Sequence, residues 1–331
     1  MGTQLARRFG TTLEKRAGVR VTRVPRAGGK QAGAARGGAG GGGGGGAPHG
    51  PGRKRKFRPP ADPAADRLLV APLFVLSAPR SGSTLLRMVL DSHSELHAPI
   101  ETHVRRLSVR FNTRLARNAM EAFGHNIADV EHILWDRLLH RELLRSGKKT
   151  IVEKTPSNVF VVDRLAVCWP DARFLFLVRH PLSIARSWHD ADPTRRPMNK
   201  AIHHTLKYME ALEGARQRHP GLTVRYEDLT TEPEAETRRI CDYLDVPWEP
   251  GMIAYGEQEH GELRKGMGDW RDKIRTGTIQ PGRPLPRPGE VPRDLREMCE
   301  RWGYATVPAK GAMAERESAP ATQEAHGEPW A

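Results

Sequence analysis

From Leu68 onward, short apolar runs alternate with longer stretches whose apolar positions recur at helical spacing. Leu73 to Ser77, Thr150 to Glu153, Arg173 to Val178 and Leu222 to Tyr226 are four to six residues long and rich in Val, Leu, Ile and Phe. Continuous apolar runs of that length suit strands covered on both faces, as in a parallel sheet. Thr84 to Asp91, Glu101 to Phe123, Ala128 to Ser146, Asn158 to Cys168, Pro181 to His189, Met198 to Arg218 and Glu232 to Leu244 read as helices, with Pro181 suited to a first helical turn. Strands alternating with helices predict an α/β domain of three layers around a central parallel sheet. The Pro- and Gly-rich segment from Thr276 to Pro292 reads as a loop wrapping the surface, and no internal repeat is visible.

Composition divides the 331 residues unevenly. Residues 1–67 hold 17 of the 33 glycines, including the run Gly40 to Gly46, and 15 basic against 3 acidic residues. They carry +12 of the +14 net charge, so the remaining 264 residues are nearly neutral at +2. A segment this poor in apolar surface cannot offset the entropy of ordering its backbone. The expected organisation is a disordered basic Gly-rich tail at 1–67, one domain at 68–307 and a polar disordered tail at 308–331. A near-neutral domain argues against specific nucleic-acid binding. The cluster Arg53, Lys54, Arg55, Lys56 and Arg58 suits a solvated linker first and a polyanion or membrane surface second.

Cys168, Cys241 and Cys299 are odd in number and far apart, which fits neither a disulfide framework nor a zinc site and points to a reducing compartment. The longest apolar stretch, Leu68 to Ala78, contains Pro72 and falls well short of the roughly 20 residues of a membrane helix. Arg7 and Arg8 are followed by no apolar stretch, and Ala6 stands where a myristoylation signal has Ser or Thr. A cytoplasmic location is expected, with an organelle transit peptide as the alternative.

The chemistry concentrates in FVLSAPRSGSTLLRMVL, Phe74 to Leu90: a buried strand, a turn of small residues, then a helix. Backbone N–H groups of such a turn and of the first helical turn converge on an anion, and the helix dipole adds to them. Arg80 would supply a charge-assisted bond, with Ser81, Gly82, Ser83, Thr84 and Leu85 around the cradle. The triphosphate version, GxxxxGK[ST], would place Lys after Gly82; Ser83 stands there, and Ser77 replaces the first Gly, so the loop is P-loop-like without the triphosphate signature.

This APRSGSTLL string resembles the 5′-phosphosulfate loop of the sulfotransferases that use 3′-phosphoadenosine 5′-phosphosulfate. FLFLVRHPLSIARSW, Phe174 to Trp188, resembles their 3′-phosphate motif, an Arg at a strand end and a Ser eight residues later, here Arg179 and Ser187. VRYEDL, Val224 to Leu229, is similar to the strand end whose Tyr approaches the adenine, here Tyr226. LRKGMGDW, Leu263 to Trp270, resembles the loop that clamps the 3′-phosphate, with Arg264, Lys265 and Gly266 in matching positions. The spacing from RKG to GDW is one residue shorter than in the cytosolic branch. The resemblance implies a P-loop-like fold, the phosphosulfate as donor, adenosine 3′,5′-bisphosphate as product, a hydroxylated acceptor and no metal.

The same resemblance distributes the catalytic roles. The cytosolic branch draws its base from a Lys-Thr-His string; VEKTPSN, Val152 to Asn158, has Pro156 at the His position. The tyrosylprotein-sulfotransferase-like branch uses a Glu where this chain has Glu101, 21 residues after Arg80. Glu101 is therefore the candidate base, with His103 the substitute, and Lys154 the cation stabilising the leaving group beside Arg80. Glu101 alone also reads as a helix N-terminal carboxylate, Lys154 as a solvated lysine, and Arg179 as a surface charge. Thr155 and Ser157 are weaker candidates for the donor pocket, and His93, His97 and His103 lack a ligand spacing that survives Pro99. A P-loop-like kinase of a small metabolite and a non-catalytic scaffold with a polyanion-binding tail are the rival readings. The helices from Glu101 to Ser146 and the loop from Asp190 to Lys200 are expected to shape the acceptor pocket, but neither the acceptor nor the oligomeric state is legible.

Overall fold

The computed structural model describes residues 67–258, 260, 274 and 276–305. Five strands, β1 (Leu73–Ser77), β2 (Leu96–His97), β3 (Thr150–Glu153), β4 (Arg173–Val178) and β5 (Leu222–Arg225), form one sheet in the order β2-β3-β1-β4-β5. All neighbours are parallel; Leu73 lies opposite Val152 on one side and Arg173 on the other, and Ser77 opposite Leu177. Every residue of β1 is buried. Its side chains alternate between two cores, as the two-residue period of a strand requires. Leu73 and Val75 join Leu86, Val89 and Leu90 of helix α1 (Ser83–Asp91) on one face. Phe74 and Leu76 join the other core, with Trp135 of α3 (Ile127–Ser146) and Met209 and Leu212 of α6 (Met198–Arg218).

Further helices among the described residues are α2 (Arg114–Ala122), α4 (Val162–Cys168), α5 (Pro181–Asp190), α7 (Tyr226–Thr231), α8 (Pro233–Leu244) and α9 (Arg293–Arg301). The parallel three-layer α/β architecture is the expected one. Strands β1, β3 and β4 and helix α6 begin and end where the apolar pattern places them. Among the described residues, no helix is long and apolar enough to cross a membrane.

The stretch from Glu101 to Phe123 departs from expectation. Only a 3-10 turn at Val104–Arg106 and α2 are helical. His103 has φ 51°, and Thr113 caps α2 by accepting the Ala116 N–H. Side chains of β3 and the following turn hold residues 101–103 from outside, by hydrogen bonds that a helix through this segment would forfeit. Asn158 to Cys168 splits into a 3-10 turn at Pro156–Phe160 followed by α4, and Tyr226 opens α7 rather than closing β5. The two-residue β2 is too short to show a period, and α7 and α9 were not expected.

Candidate active site

The chain leaves β1 through a tight turn in which Arg80 has φ 72° and Gly82 φ 93°. A non-glycine residue in this region costs about 1–2 kcal/mol, strain of the kind that clusters at functional sites. Gly82 is the N-cap of α1; no side chain caps the helix and its first turn carries no acidic residue. The positive end of α1 therefore meets the cavity through Gly82, Ser83, Thr84 and Leu85.

β4 runs beside β1, so its carboxyl end delivers Arg179 and α5 to the same edge. Arg179 Nη1 donates to the Arg80 carbonyl at 3.0 Å, and Arg80 Nε donates to Ser187 Oγ at 3.2 Å. The Arg179 guanidinium lies 4.1 Å from the centre of the Tyr226 ring. The same ring packs on Gly82 so closely that a Cβ there would sit 2.2 Å from Tyr226 Cδ2. Two turns about a hundred residues apart are thus one surface, at the point in the strand order where α/β sheets open a crevice. Arg179 is half-buried, and its Nε has no hydrogen-bond partner among the described residues. A half-buried cation with a spare donor beside a helix N-terminus suits an anion.

Glu101 and His103, held beside the end of β3, also line the cavity. Glu101 is not at a helix start; it lies in the loop after β2, 8% exposed. Lys154, which follows β3, is 1% exposed and donates to Glu101 Oε1 at 2.6 Å. Burial pulls the Lys154 pKa down, and the neighbouring Glu101 carboxylate pushes it back up. Glu101 Oε2 faces His103 Nε2 at 3.5 Å. Behind the pair lies Arg87 of α1, 2% exposed, whose Nη1 donates to the Ala98 carbonyl at 2.8 Å. Lys154 is accordingly a buried partner of Glu101, not a solvated lysine.

The cavity measures about 620 Å³. Arg80, Gly82, Ser83, Thr84 and Leu85 line it, as do Glu101, Arg179, Ser187 and Tyr226. Ser81 is fully buried and is not among the lining residues, and Lys154 reaches the cavity only through Glu101. Arg264, Lys265 and Gly266 lie outside the described residues. Thr155 and Ser157 also line the cavity.

Several lining residues escaped the sequence reading. Tyr208 joins one side with Trp188 and Arg196, whose guanidinium lies 4.2 Å from the Trp188 ring centre. Tyr255, Gln280 and Arg283 close another part. The loop after residue 276 is anchored there by Gly256 N–H donating to the Gly277 carbonyl at 2.8 Å and by Tyr255 OH donating to the Thr278 carbonyl at 3.1 Å. Trp188 had a sequence signal in its place next to Ser187, and Arg196 falls in the stretch from Asp190 to Lys200 expected at the acceptor pocket. No cluster of metal-ligating side chains occurs among the described residues.

Comparison with known proteins places this geometry. The family model described as "Sulfotransferase family" matches residues 72–250. The chain is 27% identical over 234 residues to nodulation protein NoeE of Sinorhizobium fredii, covering 60% of this chain and 55% of NoeE. It is 25% identical over 263 residues to protein-tyrosine sulfotransferase 1 of Danio rerio, covering 70% and 72% of the two chains. The chain thus spans about half the length of NoeE and of the Drosophila melanogaster protein-tyrosine sulfotransferase. Among solved structures, the sulfotransferase domain from the curacin biosynthetic pathway superposes with a TM-score of 0.54 at 21% identity, covering 73% of this chain and all of that domain. The sulfotransferase domain of the Synechococcus PCC 7002 olefin synthase gives 0.52 at 21% identity, covering 77% of this chain and all of that domain. These two share the fold, and with the family match across more than half of its residues, the chain belongs to the sulfotransferase family.

Proposed function

We propose that this protein transfers a sulfuryl group from 3′-phosphoadenosine 5′-phosphosulfate directly to a hydroxyl of an acceptor, with Glu101 as general base. The observation that carries the reading is the meeting of Arg80 and Gly82–Leu85 with Arg179, Ser187 and Tyr226 on one cavity that Glu101 also lines. The donor presents two separate anionic ends, and two cation-bearing turns side by side suit both. Arg80 and the first amides of α1 would hold the phosphosulfate end, and Arg179 with Ser187 the 3′-phosphate. The donor supplies an activated sulfuryl group whose departure leaves negative charge on the bridging oxygen.

The chain's own residues divide the remaining work. Glu101 Oε1 is engaged by Lys154, so Oε2, beside His103, is the atom that takes the acceptor's proton. Once Glu101 is neutralised, the Lys154 ammonium loses its counter-charge. Its field then acts on the charge growing on the leaving side, together with Arg80, in a setting where preorganised charge is the largest catalytic contribution. His103, Ser157, Tyr208 and Trp188 form the side on which the acceptor enters. The three cysteines, all unpaired and buried, suit a reducing compartment such as the cytoplasm.

Glu101→Gln tests the assignment. The amide oxygen still accepts from Lys154, so the fold and donor-site affinity should persist while turnover falls by about 10²-fold or more. Single-turnover measurement with labelled donor, alongside calorimetry of adenosine 3′,5′-bisphosphate, separates the two; unchanged turnover would hand the proton to another group.

A further inference from the structure

The most heavily bonded buried side chain near the site is one the proposed mechanism does not use. Glu153, the last residue of β3, is 0% exposed. Its Oε1 accepts from Thr102 Oγ1 at 2.6 Å and from Thr155 Oγ1 at 2.6 Å, and its Oε2 accepts from Asn158 Nδ2. Thr155 Oγ1 in turn accepts the His103 N–H at 3.3 Å. Thr102 stands between Glu101 and His103, and Thr155 follows Lys154 directly. A single carboxylate therefore ties the loop bearing Glu101 to the strand end bearing Lys154, across about fifty residues of sequence.

Lys154 holds the loop at Glu101 and the buried Val104 anchors it in the core, and the Glu153 bonds fix the residues between. The loop is neither helix nor strand, and His103 sits in the left-handed region. A buried carboxylate is costly unless its lone pairs are satisfied, so the three donors to Glu153 are of one piece with its burial. Burial pushes the Glu153 pKa up, opposed by the two threonine hydroxyls and by Lys154, while Glu101 pushes it further up. The charged groups packed together here are Glu101 and His103 from the loop, Lys154 and Glu153 from the end of β3, and Arg87 from α1.

We infer that Glu153 is a positioning residue for sulfuryl transfer: it clamps Thr102 to Thr155 so that Glu101 meets Lys154. The inference rests on the base assignment above. Glu153→Ala removes the clamp and should lower kcat about 10-fold or more while leaving the KM for donor within about threefold. Glu153→Gln keeps an amide oxygen that accepts from both threonine hydroxyls, so it should recover most of the turnover lost in Glu153→Ala.

Wild-type turnover in Glu153→Ala, or an equal loss in Glu153→Gln, overturns the inference. Should Glu153→Ala not yield folded protein, as judged by thermal unfolding, Thr155→Val cuts only the Glu153–Thr155–His103 link; it should lower turnover with bisphosphate affinity retained, and full turnover would overturn the inference. Glu101→Gln run in parallel separates the two claims. If it loses turnover while Glu153→Ala behaves as wild type, the positioning role falls and the base assignment stands; if it turns over normally, the base assignment falls and takes the positioning role with it.

Discussion

Gly82→Ala concentrates the geometry of the donor cradle into one methyl group. Gly82 has φ 93°, where an L-residue pays about 1–2 kcal/mol. The added Cβ would lie 2.2 Å from Tyr226 Cδ2 and 2.6 Å from Cε2, far inside contact distance, so the ring must move. Overpacking of this kind costs about 1–3 kcal/mol. Together the two effects should lower stability by about 2–5 kcal/mol, which at roughly 2–4 °C per kcal/mol is a Tm drop of about 4–20 °C. Because the displaced ring also stacks on Arg179, affinity for adenosine 3′,5′-bisphosphate should fall about 10-fold or more. Calorimetry and thermal unfolding read the two effects separately. The Tyr226→Ala background isolates the clash: there, adding Gly82→Ala should cost only the backbone strain, about 1–2 kcal/mol. An unchanged Tm and affinity in the single variant, or an equal cost with and without the Tyr226 ring, would refute the close packing on which this reasoning rests.

Arg179→Lys should weaken bisphosphate binding about 10- to 100-fold, because an ammonium keeps the charge but loses both the fork that reaches the Arg80 carbonyl and the planar face on Tyr226. Near-native affinity in calorimetry would remove Arg179 from the anion site. Asp91, at the end of α1, provides a pH test of stability away from the chemistry. Burial opposes its ionisation, but hydrogen bonds from His260, His97 and the Ala98 N–H, with Lys148 nearby, outweigh it and hold its pKa below the ordinary range. A lowered folded-state pKa means that the contribution is complete above the unfolded-state value, roughly pH 4, and is lost as pH falls below it. Asp91→Asn should therefore cost about 1–3 kcal/mol at pH 7, and the gap to wild type should narrow in denaturant titrations toward pH 3. A gap of constant size across that range would contradict the ion-pair account.

What the sequence determined by itself is whatever depends on neighbours along the chain. The doubly buried strands β1, β3 and β4 need continuous apolar runs, and those are visible as such. The turn after β1 needs Gly82 and small residues next to a helix start, and that too is a local pattern. The same holds for Arg179 and Ser187, placed by a strand end and two turns of the following helix. Tertiary structure decided the rest. The Glu101 segment has helical composition, yet Lys154, Glu153 and Thr155 draw it into a loop, because buried charges and hydroxyls bind more strongly to one another than a helix would hold them apart. Lys154 is polar by its letter and buried by its partner. The fit of Tyr226 on Gly82, the bond from Arg179 to the Arg80 carbonyl and the cavity faces of Tyr208 and Arg283 join residues tens to more than a hundred positions apart. Neither propensity nor period carries information over such separations; only the order of strands in the sheet brings these side chains to one edge.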